Sequence, residues 1–147
     1  MSPNTESLRL TRIIPASPER IFDAWTTAEL LGRWTCPDPG ARVAIDIDPR
    51  KGGHYSIRMD AQGGPFTAHG TYRVIDRPRR LVQTWAWAED THPMKEETVV
   101  TVEFVPAEEG SEIRLTHEGF PTPADRDGHE EGWKICLGRL AELFGAQ

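Results

Sequence analysis

Five histidines, two cysteines and five tryptophans are the side chains of this sequence best equipped for chemistry. Their spacing assigns them no reaction. The histidines show neither HxxxH nor HExxH spacing, and Cys36 and Cys136 lie far apart with no CxxC. The patterns that close a zinc or redox site are therefore missing. No nucleophile stands beside an evident base, and there is no glycine-rich nucleotide loop. We assign no catalytic residue, metal or cofactor from the sequence. His117 alternates with Ile113 and Leu115 and so faces inward, either as a hydrogen-bonded core residue or as a ligand contact or proton carrier. His129 could approach it from the last helix. Glu130 and Glu131 belong in solvent, with Glu130 one turn from Lys134. Both thiols are expected to be unpaired.

The elements that position these groups follow from periodicity. Leu8 to Ile14 alternates and stops at Pro15, which reads as an opening strand. Ser17 caps and Pro18 starts a short helix with Ile21, Phe22 and Trp25 on one side. Thr26 with Glu29 fits a capping box for a second helix carrying Leu30, Leu31 and Trp34, ended by Cys36-Pro37-Asp38-Pro39-Gly40. Six alternating runs follow between Val43 and Glu118, broken by turns at Asp48–Gly53, Gln62–Gly64, Asp76–Arg79 and Glu108–Gly110 and by a polar loop at Glu89–Lys95. Short turns between successive strands imply an antiparallel meander. A helical period returns after Thr122-Pro123, with His129, Trp133, Leu137, Leu140 and Phe144 on one face and Gly145 ending it.

This is an α+β pattern in one domain spanning residues 1–147, with its core at about 8–144. A chain of this size buries roughly two-thirds of its unfolded surface, enough for stability without a bridge or metal. The expected architecture is a curved antiparallel sheet wrapped around a long C-terminal helix, with two short helices after the first strand. A sheet curled about a helix tends to enclose a cavity, and the large inward-facing side chains either fill a packed core or line that cavity. Its expected wall comprises Tyr55, Ile57, Met59 and Phe66 from the early strands and Tyr72, Trp85 and Trp87 from the middle ones. Val100, Val102, Leu115 and His117 come from the late strands, Trp133 and Leu137 from the last helix, and Trp25 and Trp34 from the short helices. Gly128, Gly132 and Gly138 each cost the last helix about 1 kcal/mol against alanine; fraying near Gly128 and solvent exposure at Gly138 would explain them, or some gain must offset the cost. Close approach to the sheet or to a ligand would do so.

The net charge of −6 opposes nucleic acid and anionic membrane surfaces. No apolar run is long enough to insert in a bilayer. Residues 1–6 lack an apolar signal core, so the expected location is the cytoplasm. The expected partner is a small apolar ligand, with monomer or homodimer both open.

Several segments together resemble a known family. Pro15-Ala16-Ser17-Pro18-Glu19-Arg20-Ile21-Phe22-Asp23-Ala24-Trp25 and Leu31-Gly32-Arg33-Trp34 resemble the opening of the START/Bet v 1-like (SRPBCC) branch named for the activator of Hsp90 ATPase. Gly52-Gly53-His54-Tyr55, Gly70-Thr71-Tyr72, Pro78-Arg79-Arg80-Leu81 and Thr84-Trp85 are similar to its sheet. Leu115-Thr116-His117-Glu118-Gly119-Phe120, His129-Glu130-Glu131-Gly132-Trp133 and Leu137-Gly138-Arg139-Leu140 are similar to its end. The resemblance implies a helix-grip fold whose cavity holds lipids, hormones, polyketides or other apolar molecules. It implies two alternatives to simple ligand binding. One is a chaperone-interacting domain, although the eukaryotic co-chaperone makes much of its contact through a separate N-terminal domain. The other is an enzyme on an apolar substrate, although no catalytic motif of the aromatase/cyclase relatives maps onto these residues.

Overall fold

The alternating runs become seven strands, and the two helical stretches become three helices. The computed structural model describes residues 6–38 and 40–145; the chain's first five residues and Pro39 of the Cys36–Gly40 break lie outside them. In chain order the elements are β1 (Glu6–Ile14), α1 (Pro18–Thr26), α2 (Ala28–Leu31), β2 (Arg42–Ile47), β3 (His54–Asp60), β4 (Phe66–Asp76), β5 (Arg80–Trp87), β6 (Thr98–Ala107), β7 (Gly110–Phe120) and α3 (Pro123–Leu143). The strands form one sheet in the order β1-β7-β6-β5-β4-β3-β2, antiparallel throughout. β1 closes the ladder beside β7, with Leu8 opposite His117 and Leu10 opposite Leu115.

The helix starts follow the capping chemistry. Ser17 accepts a hydrogen bond from the Arg20 amide at 3.3 Å, with Pro18 next. Thr122 accepts from the Asp125 amide at 3.1 Å, with Pro123 next. The expected Thr26–Glu29 capping box does not form. Thr26 is the last residue of α1, and its hydroxyl donates back to the Phe22 carbonyl at 3.0 Å. Thr27 stands at the start of α2 without a side-chain cap, and Trp34 falls beyond that helix. Inward-facing residues of all layers meet in one core. α1, α2 and the segment after them plug one end. There Trp25 packs on Trp34 with ring centroids 4.4 Å apart and on Phe104 at 5.5 Å, and the Trp34 indole donates to the Ala24 carbonyl at 3.1 Å.

Gly70 has a steric explanation. A Cβ there would lie 2.3 Å from the Thr84 carbonyl oxygen, so its bare backbone lets β5 approach where the β4–β5 register shifts between Tyr72 and Val74. It serves the curvature of the sheet. α3 buries Trp133, Cys136, Leu137, Leu140 and Ala141 and lies closest to β1 and β7. Phe144, expected on the same face, caps the helix instead, under the Arg20 guanidinium at 5.0 Å. The N-terminal half of α3 stands off from β3, β4 and β5 and leaves a gap there.

Candidate functional site

The gap is a cavity of about 440 Å³, within the roughly 300–1,000 Å³ usual for small-molecule sites. Its sheet wall is Met59 near the end of β3 with Ala61 just beyond it, Phe66 at the start of β4, and Trp85 and Trp87 at the end of β5. Its helix wall is one stripe of α3: Ala124, Asp125, Gly128, His129, Gly132, Trp133 and Cys136, residues three and four apart. Loops complete it, with Thr35 to Asp38 on one side and His92 and Pro93 on the other.

Five of the residues expected at the site therefore surround the cavity: Met59, Phe66, Trp85, Trp87 and Trp133. Trp25, Trp34, Tyr55, Ile57 and Tyr72 border a separate void of about 10 Å³ beside Gln83, no more than one water's space. The Tyr55 hydroxyl is spent there on the Thr84 carbonyl, and burial pushes both tyrosine hydroxyls well above their ordinary pKa. Val100, Val102, Leu115, His117 and Leu137 are buried core residues outside the cavity wall. Alternation identifies the inner face but not the position along it, so it cannot separate these three groups. The Gly128 and Gly132 signal has its answer here. A Cβ on either would meet nothing within 4 Å, so no close approach to the sheet requires them, and both open onto the cavity. Gly138 also has free space but lies off the wall.

Two histidines tie the aromatic wall together. The Trp87 indole N–H donates to His129 Nε2 at 3.0 Å, and an indole has no acceptor to offer in return. His129 therefore carries its proton on Nδ1, which donates to the Asp125 carbonyl at 2.7 Å. The Trp133 indole donates to His117 Nδ1 at 3.0 Å, which places that proton on Nε2. There it donates to Thr98 Oγ1 at 2.7 Å, and Thr98 passes its own proton to the Trp85 carbonyl at 3.0 Å. Both imidazoles are neutral in this arrangement, and burial, with a smaller push from neighbouring histidines, lowers their pKa. His129 thus faces the cavity with both nitrogens engaged, leaving no lone pair free for a base. His92 stacks flat on Trp87, centroids 4.5 Å apart and planes within 9°, and its Nδ1 accepts the Met94 amide at 3.0 Å. Its Nε2–H has no protein partner among the described residues. The Trp85 indole N–H is the buried side-chain donor left unpartnered among them.

The two thiols share this wall and are unpaired. Cys136 donates to the Thr35 carbonyl at 3.3 Å. Burial raises both thiol pKa values, that of Cys136 to about 12, so neither is an activated nucleophile. Arg139 holds the adjoining loop by donating to the carbonyls of Cys36 and Arg33. Among the described residues no cluster of three or more His, Cys, Asp or Glu is placed to hold a metal ion, and no helix is long and apolar enough to cross a membrane.

His92, Pro93 and the Thr35–Asp38 wall were not legible as site residues, because loops without periodicity give no facing signal. Gly128 and Gly132 were legible as an anomaly.

The fold recurs among solved structures. A Chromobacterium violaceum protein matches with a TM-score of 0.85 at 25% identity over 96% of this chain and 98% of its own. An AHSA1 protein of Silicibacter pomeroyi matches at 0.80 and 26% identity over 94% and 96%. A Nitrosomonas europaea protein matches at 0.76 and 26% identity over 93% and 92%. No curated protein matches the chain. The family model described as activator of Hsp90 ATPase homolog 1-like protein matches residues 15–145, every element of the domain after β1, and the chain belongs to that family.

Proposed function

We propose that this protein binds a small, flat, apolar ligand in the cavity between α3 and β3–β5, as a non-catalytic binding or carrier domain of the cytoplasm. One observation carries the reading. Gly128 and Gly132 weaken α3 by about 1 kcal/mol each against alanine, no contact with the sheet requires their missing side chains, and both border the cavity. A filled core would place a side chain there. Phe66, Trp85, Trp87 and Trp133 supply faces for a ring system. The chaperone-docking alternative calls for an exposed apolar patch. Among the described residues the large exposed apolar side chains are Ile13 and Ile135, on β1 and α3. The enzyme alternative calls for a titratable group poised in the cavity; His129 is engaged at both nitrogens and burial raises both thiols away from the reactive thiolate, which leaves His92, Asp38 and Asp125 as the groups such a reaction would have to use.

Titration with the neutral fluorophore N-phenylnaphthylamine tests the reading. The parent protein should bind it with enhanced emission. Gly132→Leu fills the gap with a better helix former, so it should melt no lower than the parent and gain up to about 1 kcal/mol of helix stability. It should lose the probe. Equal binding by both proteins, or none by the parent, would count against the cavity as a ligand site.

A further inference from the structure

We propose that the cavity selects by charge: it takes ligands with an apolar body and a cationic amine or quaternary ammonium, and it rejects carboxylates such as fatty acids. This rests on the ligand-binding reading above and adds the sign of the ligand.

The charged side chains on the wall are of one sign. Asp38 and Asp125 stand there half-buried, one on the loop after α2 and one in the first turn of α3, and no Lys or Arg joins them among the described residues. The nearby cations point elsewhere. Lys95, on the loop that carries His92, gives its ammonium to the Glu89 and Asp90 carbonyls. Arg139 gives its guanidinium to the Arg33 and Cys36 carbonyls. Arg126, one turn ahead of Glu130, is spent on Asp127, Glu130 and the Ser7 carbonyl. The two imidazoles on the wall, His92 and His129, are neutral in their hydrogen-bonding patterns and supply no charge. The start of α3 carries partial positive charge, but Asp125 sits in that first turn and offsets it.

The faces between the carboxylates are aromatic. Trp85 lies 5.6 Å from Trp87 and 5.3 Å from Trp133, and Phe66 lies 6.5 Å from Trp87. Indole faces carry the negative side of the ring quadrupole, and several of them around one space make the arrangement that recognises ammonium groups. A carboxylate in the same place would meet two like charges and electron-rich faces, with no cationic side chain on the wall among the described residues to offset them.

The test is calorimetric titration with three ligands sharing one ring: naphthylmethyl-trimethylammonium, naphthylmethanol and naphthylacetate. The ammonium should bind about tenfold tighter than the alcohol, and the acetate about tenfold weaker. The double variant Asp38→Asn/Asp125→Asn keeps both side-chain acceptors, for the Gly40 amide and the Thr122 hydroxyl, so its fold should hold. In it the gap between ammonium and acetate should shrink by about tenfold, and added salt should shrink the parent's gap in the same direction. Acetate binding as tightly as ammonium, or an order untouched by the double variant, overturns the charge proposal while leaving the cavity reading intact. Failure of all three ligands to bind overturns both.

Discussion

Replacing His117 with alanine should lower the free energy of unfolding by about 4 kcal/mol. The side chain is fully buried, so truncation leaves a hole in the core beneath the site. It also removes the acceptor of the Trp133 indole N–H and the donor to Thr98. Thr98 keeps the Trp85 carbonyl as a partner, whereas the Trp133 N–H is stranded in the interior. Stranding a buried donor costs about 1–3 kcal/mol on its own, which places this substitution above an ordinary loss of packing. Denaturant melts of parent and variant check it. A loss under about 1 kcal/mol would mean that His117 is not the buried junction between β6, β7 and α3 described here.

The second large effect is on stability against pH. His117 and His129 both have pKa values below the ordinary imidazole value of about 6.5. An unfolded chain takes up a proton on each ring as pH falls through about 6.5, while the folded protein resists until its own lower values are reached. The unfolded state then binds more protons, so stability falls as pH falls. The stabilisation is complete above about pH 7.5 and is lost progressively below about 6.5, with a slope that approaches about 1.4 kcal/mol per pH unit from the strongly shifted His117 and a shallower addition from His129. Protonation of His129 also sets its Nε2–H against the Trp87 N–H, and protonation of His117 sets its Nδ1–H against the Trp133 N–H. His117→Gln should flatten the profile by up to about 1.4 kcal/mol per pH unit, and His129→Gln by less. A stability that does not change between about pH 7 and pH 5 would contradict the neutral, doubly bonded state of both imidazoles.

Much of the fold was written in local sequence. Ser17-Pro18 and Thr122-Pro123 mark their helix starts because a hydroxyl cap and a proline act within a single turn. The strands were readable because Tyr55, Ile57 and Met59, or Ile113, Leu115 and His117, alternate on a buried face. The Thr26–Glu29 pattern misled because a capping box and the end of a preceding helix compete for the same threonine hydroxyl, and Phe22 holds it. The site was half legible for a related reason. Alternation says which side of the sheet a residue faces, but where α3 stands off from it depends on packing at the far end. Tyr55 and Tyr72 therefore fall beside a closed void while Met59 and Phe66 face the open cavity. His92 comes from a polar loop whose course is fixed by stacking on Trp87 and by Met94 buried beneath it, contacts with no periodic trace.

The most direct measurement of the central claim uses the five indole N–H resonances of the protein, assigned by single Trp→Phe variants, during titration with N-phenylnaphthylamine. Trp85, Trp87 and Trp133 line the cavity. The Trp34 indole is bonded to the Ala24 carbonyl and, with Trp25, lies in the plug at the closed end. The account predicts that the signals of Trp85, Trp87 and Trp133 move saturably, while those of Trp25 and Trp34 stay in place. Saturable shifts confined to Trp25 and Trp34, or no saturable shift at any indole, would contradict a ligand site between α3 and β3–β5.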